Sequence, residues 1–126
     1  MKKCSHKASS RGIEMKVVEV KSVPSKPNPH GVDARSLSDT RNAQVSHITL
    51  KPGESLKRHV TPVDVAFYVL EGKGIVEIGE ERKEAGPDTL IESPARIPHR
   101  WLNEGTGIVR ILVIKTPRPE EKTKML

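Results

Sequence analysis

Five imidazoles and one thiol are the side chains with the means to hold a metal or move a proton: His6, His30, His47, His59, His99 and Cys4. Neutral imidazole ligates Zn, Cu, Fe and Ni, and near neutral pH it accepts or gives up a proton. A lone cysteine makes neither an intrachain disulfide nor a metal-binding pair. His6 falls in a basic N-terminal arm and His30 in the proline-rich loop 23–31, and both read as solvated. His47 lies in a strand-like run, where a single histidine is more often a core or dimer-interface residue than a ligand. His59 shares its strand phase with Thr61, Val65 and Phe67, and His99 shares its phase with Ile97, Trp101 and Asn103.

Strands are what must position these residues. The chain has 126 residues, 34% hydrophobic and 30% charged, which suits one domain with a real core. Apolar runs at 43–51, 65–70, 73–78, 88–92, 98–103 and 107–115 are separated by turn signals such as Lys51-Pro52-Gly53-Glu54, Glu71-Gly72 and Gly86-Pro87-Asp88. Short runs at roughly ten-residue spacing with Gly/Pro punctuation read as an all-β sandwich or barrel. A further short strand at 16–21 is expected to join a sheet edge, and Val32–Thr40 is polar and weakly patterned. Residues 1–14 read as a basic disordered extension, 15–116 as the domain and 117–126 as a flexible tail.

Charge narrows the partners. The net charge of +6 resolves into +4 over residues 1–21 and +2 over 115–126, and the body between them is balanced. The aromatic side chains are Phe67, Tyr68 and Trp101, too few for a base-stacking platform, so nucleic acid is not expected. No stretch approaches the ~20 apolar residues of a membrane span, and the N-terminus lacks a secretory apolar run, so a cytoplasmic protein is expected. The runs 65–70 and 107–115 are apolar on both faces apart from Arg110, which calls for a cover on the outer face. A second subunit is the economical one, with a loop from 22–40 as the rival, and a homodimer is expected.

Two stretches carry a resemblance. The first is Pro52-Gly53, then His59-Val60-Thr61, then Phe67-Tyr68-Val69-Leu70-Glu71-Gly72. The second is Gly86-Pro87-Asp88, then Pro94-Ala95-Arg96-Ile97-Pro98-His99, then Asn103. Together they resemble the two motifs of the cupin superfamily over residues 43–115. The resemblance implies a double-stranded β-helix (jelly-roll) barrel, often dimeric, with a metal held by three histidines and a glutamate. The departures are plain: Thr61 stands at the second histidine and Val65 at the glutamate. Arg96 replaces the mid-motif glycine, and the spacing from Gly86 to Pro94 is two residues longer.

Two of four family ligands are therefore missing, and His59 and His99 remain. Two imidazoles alone would hold a divalent ion (Zn, Fe, Ni, Mn or Cu) weakly, because protein zinc sites use at least three protein ligands. Asp64 and His47 are the candidates for a third, although strand alternation turns Asp64 outward. Thr61, Phe67, Trp101 and Asn103 are the expected pocket lining, with Arg96 and Arg100 pointing away. The leading reading is a small-molecule or divalent-metal binding protein around His59 and His99, with no reaction assigned. The alternative is a metal-dependent enzyme, an isomerase or dioxygenase acting on a small organic substrate.

Overall fold

Alternation decides where the two longest strands sit. In Asp64–Glu71 the buried positions are Val65, Phe67 and Val69, and in Val109–Thr116 they are Val109, Ile111 and Val113. These strands pair antiparallel with Phe67 opposite Val113, so both apolar sets face one interior. Each such side chain contributes ~1.5–3 kcal/mol on burial, which makes this pair the spine of the core.

The computed structural model describes residues 14–126, and ten strands run through them. In chain order they are β1 (Asp33–Asp39), β2 (Gln44–Leu50), β3 (His59–Val60), β4 (Asp64–Glu71), β5 (Gly74–Ile78), β6 (Glu81–Ala85), β7 (Thr89–Ser93), β8 (His99–Leu102), β9 (Val109–Thr116) and β10 (Lys124–Met125). Two five-stranded antiparallel sheets result, in the orders β1-β2-β9-β4-β7 and β10-β3-β8-β5-β6. Leu50, Leu56, Val76, Trp101 and the inward residues of β4 and β9 form one core cluster between them. The all-β barrel expected from the sequence is present. None of the described helices is long and apolar enough to cross a membrane.

Several expectations are corrected. Residues 16–21 form no strand: the segment runs into a 3-10 turn, Val20–Ser22, with Met15 87% and Val17 75% exposed. One sheet edge is instead formed by β1, from the stretch that looked weakly patterned. β1 and β6 are both edge strands rich in charge, and edge strands need polar outer faces to resist pairing with other chains. That is why neither alternates legibly. Residues 117–126 are no free tail, because β10 pairs with β3 and the Leu126 N–H donates to the Arg58 carbonyl at 3.0 Å. Without β10, the outer edge of β3 would leave backbone groups unpaired beside the core. The basic extension and its Cys4 and His6 lie, Glu14 apart, outside the described residues.

The motif glycines answer to geometry. Pro52 and Gly53 occupy the centre of a turn closed by Glu54 N–H on the Lys51 carbonyl, and Gly53 has φ +87°. Proline followed by a positive-φ glycine is the type II pattern. Arg96, at the family's glycine position, keeps the left-handed backbone with φ +67° and donates its N–H to the Thr61 carbonyl. The chain crosses from one sheet to the other at Gly72, where φ is +79° and an added Cβ would strike the carbonyl oxygen of Ile108. Gly72→Ala is therefore expected to lower stability by ~2 kcal/mol or more, seen as a lower urea midpoint at unchanged m-value. A midpoint equal to that of wild type would show that the loop before β9 moves aside freely.

Candidate functional site

At one end of the barrel the interior opens into a cavity of about 380 Å³. Four elements build its wall. β2 supplies Ser46 and Ile48, β3 and the residue after it supply His59 and Thr61, β4 supplies Val65 and Phe67, and β9 supplies Val113 and Lys115. His99 enters from β8, His30 from the proline-rich loop, and Lys122, Thr123 and Met125 from the C-terminal segment.

His59 and His99 are register partners across β3 and β8, with ring centroids 4.5 Å apart in an edge-on arrangement. His30, expected to be solvated, stacks obliquely on His59 at 4.8 Å. The backbone of Lys57 fixes both rings. Its N–H donates to His30 Nδ1 at 2.8 Å and its carbonyl accepts from His59 Nδ1 at 2.6 Å. A carbonyl only accepts, so neutral His59 carries its proton on Nδ1 and its lone pair on Nε2. By the same logic neutral His30 carries its proton on Nε2. His99 stands between two hydroxyls, Ser93 Oγ at 2.7 Å from Nδ1 and Thr61 Oγ1 at 3.3 Å from Nε2, with the Phe67 ring edge-on at 5.3 Å.

Burial sets the charge state. Desolvation, aided by the neighbouring His59, pushes His99 down to about 3 and His30 down to about 4. It also lowers His59, against the opposing hydrogen bond to the Lys57 carbonyl. All three rings are thus neutral at pH 7. Lys115 is lowered too, by burial alone. Among the described residues, no aspartate or glutamate lines the cavity.

Some expected site residues lie elsewhere. Trp101 is buried in the core beneath Phe67, 5.6 Å away, and does not line the cavity. Asn103 braces a loop: its Nδ2 donates to the carbonyls of Leu50 and Gly107, and its Oδ1 accepts from the Gly105 N–H. Both share the inward phase of His99 but sit further along the barrel. Neither candidate third ligand reaches the cavity. Asp64 is exposed and accepts the Ala95 N–H at 2.9 Å, while His47 lies on the opposite face of β2 with Nε2 accepting from Arg110 Nε at 3.1 Å. Arg100 points away as expected, onto Glu77 at 2.7 Å.

Lys115 is absent from the expected site, although its continuation of the phase of Val109, Ile111 and Val113 is a signal that would place it there. The place of His30 has no such signal, because nothing in a loop's composition says which wall it closes.

A cupin domain model matches residues 46–115, more than half of the chain. The chain belongs to the cupin family. Similar solved structures include a protein of Thermus thermophilus, with 29% identity, TM-score 0.72 and coverage of 83% of this chain and 100% of that one. The polyketide cyclase RemF from Streptomyces resistomycificus is 20% identical, with TM-score 0.77 and coverage of 89% and 85%. An RmlC-like cupin from Methanocaldococcus jannaschii is 20% identical, with TM-score 0.71 and coverage of 86% and 96%. Among curated proteins no sequence matches.

A family metal can be tested against this cupin's own donors. His30 has given its lone pair to a backbone N–H, His99 faces a hydroxyl at each nitrogen, and a lysine stands in the same cavity. Of the three rings, only His59 keeps a lone pair, on Nε2, that faces neither a backbone N–H nor a hydroxyl. Among the described residues no three His, Cys, Asp or Glu side chains are disposed to hold one ion. The donor set does not fit a firmly held metal.

Neutral imidazoles have a consequence for stability. Unfolded histidines take up protons near pH 6.5, whereas His99 and His30 resist until about 3 and 4. Folded values below unfolded ones mean that the stability they contribute is complete above pH 6.5 and declines as pH falls. His99 alone accounts for a loss on the order of 2–3 kcal/mol by about pH 4. Urea midpoints measured between about pH 7 and 4 should fall steadily and fall less in His99→Gln. Midpoints flat over that range would contradict the neutral assignment.

Proposed function

We propose that this cupin binds a small organic molecule in the cavity around His59 and His99 without a resident metal. The carrying observation is the Lys57–His59 hydrogen bond, which leaves a neutral ring with its lone pair on Nε2 in a side chain that lines the cavity. Such a nitrogen accepts a hydrogen bond from a ligand, or a proton from it, and needs no metal to do so. The rest of the wall has the usual character of a ligand site, apolar side chains with a few convergent polar groups, and its volume lies within the usual ~300–1,000 Å³. A metal-dependent isomerase or dioxygenase is the weaker reading, because Thr61 and Val65 occupy the ligand positions that such chemistry would need.

A homodimer through the outer face of the larger sheet belongs to the same proposal. One register row there runs Arg35, His47, Leu112, Tyr68, Leu90, and the row beside it holds Val45, Ile114 and Ala66. Leu90 is 56% exposed, and Tyr68 and Leu112 are half-buried. The rival cover, residues 22–40, is committed instead to edge strand β1 and to the cavity wall. An isologous pairing of this face is the simplest closed arrangement.

Each part has its measurement. A fragment library followed by backbone amide shifts should perturb cavity residues, and Ala34→Phe, which fills the cavity from edge strand β1, should weaken binding about tenfold, ~1.4 kcal/mol. Zinc should bind wild type and His59→Ala alike. Tight zinc binding that is lost in His59→Ala would overturn the metal-free reading. Sedimentation should give a dimer at tens of micromolar and a monomer for Leu112→Glu, whereas a wild-type monomer at that concentration would remove the dimer.

A further inference from the structure

Among the described residues, Lys115 has no counter-ion. It extends the inward phase of Val109, Ile111 and Val113 to the point where β9 enters the cavity, so the half-buried Lys115 side chain lines the cavity together with Val113, Val65 and the imidazoles. The ion pairs of the described residues use Asp33, Asp39, Glu71, Glu77, Glu81, Glu104 and Glu121, and every one of them goes to another lysine or arginine. Within the same set Lys115 makes no side-chain hydrogen bond, and Lys122 at the rim adds a second cation rather than an anion. Drawing an ammonium part-way out of water without a partner is unfavourable. Proteins relieve that cost by deprotonation or by pairing, and the partner can be a ligand.

We propose that the molecule this cavity takes is an organic monocarboxylate, its carboxylate paired with Lys115 and its apolar body against Ile48, Phe67 and Val113. The Lys115 ammonium balances one negative charge, and Lys122 stands apart from it at the rim. Among the described residues no arginine lines the wall, so the planar donor fork that suits a phosphate dianion is missing. The hydroxyls of Ser46 and Thr123 lie on the same wall and are suited to the remaining carboxylate lone pairs. His59 Nε2, an acceptor, then meets a donor elsewhere on the molecule rather than the carboxylate itself. Burial pushes Lys115 downward with no carboxylate opposing it, so an anion seated beside it would favour its charged form. This inference rests on the cavity being a small-molecule site.

Matched acids and primary amides separate the two claims: benzoate and benzamide, 3-phenylpropanoate and its amide, 4-methylpentanoate and its amide. In amide-shift titrations of the full chain, at least one acid should bind in the cavity about tenfold or more tighter than its amide. Lys115→Met should bring that acid down to the affinity of its amide and leave the amide unchanged. Lys122→Met should preserve the preference. The melting temperature of Lys115→Met should be equal to or above that of wild type, because an isosteric apolar side chain replaces an unpaired charge. Acids and amides that bind alike, or a preference that survives Lys115→Met, would overturn the carboxylate and leave the small-molecule cavity standing. Binding of neither class would overturn both.

Discussion

The rest of the structure depends on the two-residue period of β9. Val109, Ile111 and Val113 face inward because β4 and β2 flank β9 on both sides and the opposite sheet covers that face. The next residue in phase is Lys115, so one continuous strand face is core for most of its length and site at its end. A register slip of one residue would turn Lys115 outward and present Arg110 and Leu112 to the core. The site is not added to the fold; it is the place where the core runs out of apolar residues.

The histidines show the same economy. β3 is only two residues long, yet its register with β8 puts His59 beside His99, and the backbone of a single residue, Lys57, orients two rings at once. Orientation by backbone rather than by carboxylate matters, because a carboxylate partner would favour imidazolium. Held by peptide and hydroxyl groups and buried, the rings stay neutral. Elsewhere part of the charge is paired: Glu77 takes both Arg82 and Arg100, and Asp39 takes Arg118. These exposed pairs are worth little individually. None of the ion pairs among the described residues involves the cavity lysines Lys115 and Lys122.

Much of this was legible in the sequence, and the failures have physical reasons. Six apolar runs became strands within a residue or two, because central strands must alternate or be apolar throughout. β1, β6 and β10 were missed as sheet edges, whose composition serves solubility and not burial. Residues 16–21 are the converse: Val17, Val18 and Val20 look like a strand, but the segment runs exposed into a 3-10 turn and pairs with no sheet. Phase alone placed His59, His99, Thr61 and Phe67 in the interior, and placed Trp101 and Asn103 there too, since phase fixes the face and not the depth along the barrel. His30 reaches the site through a turn built by Asn28, whose Oδ1 accepts from the N–H of His30 and whose Nδ2 donates to the Val32 carbonyl. That tertiary outcome leaves no periodic trace.

The departures from the cupin motif look like losses in the sequence and like substitutions of purpose in the structure. Thr61, where the motif has a histidine, is buried and offers its hydroxyl to His99 Nε2. Val65, where the motif has a glutamate, is buried and closes the cavity floor beside Phe67 and Val113. A glutamate there would bring a negative charge within the same wall as Lys115 and would either pair with it or bind a cation alongside the histidines. With valine in its place the wall keeps its imidazoles neutral and adds no anion beside Lys115 and Lys122. Deleting a carboxylate thus removes a cation site and, by the same step, leaves a positive charge to be satisfied from outside. If the carboxylate proposal holds, the change at these two positions exchanges the sign of what the barrel holds.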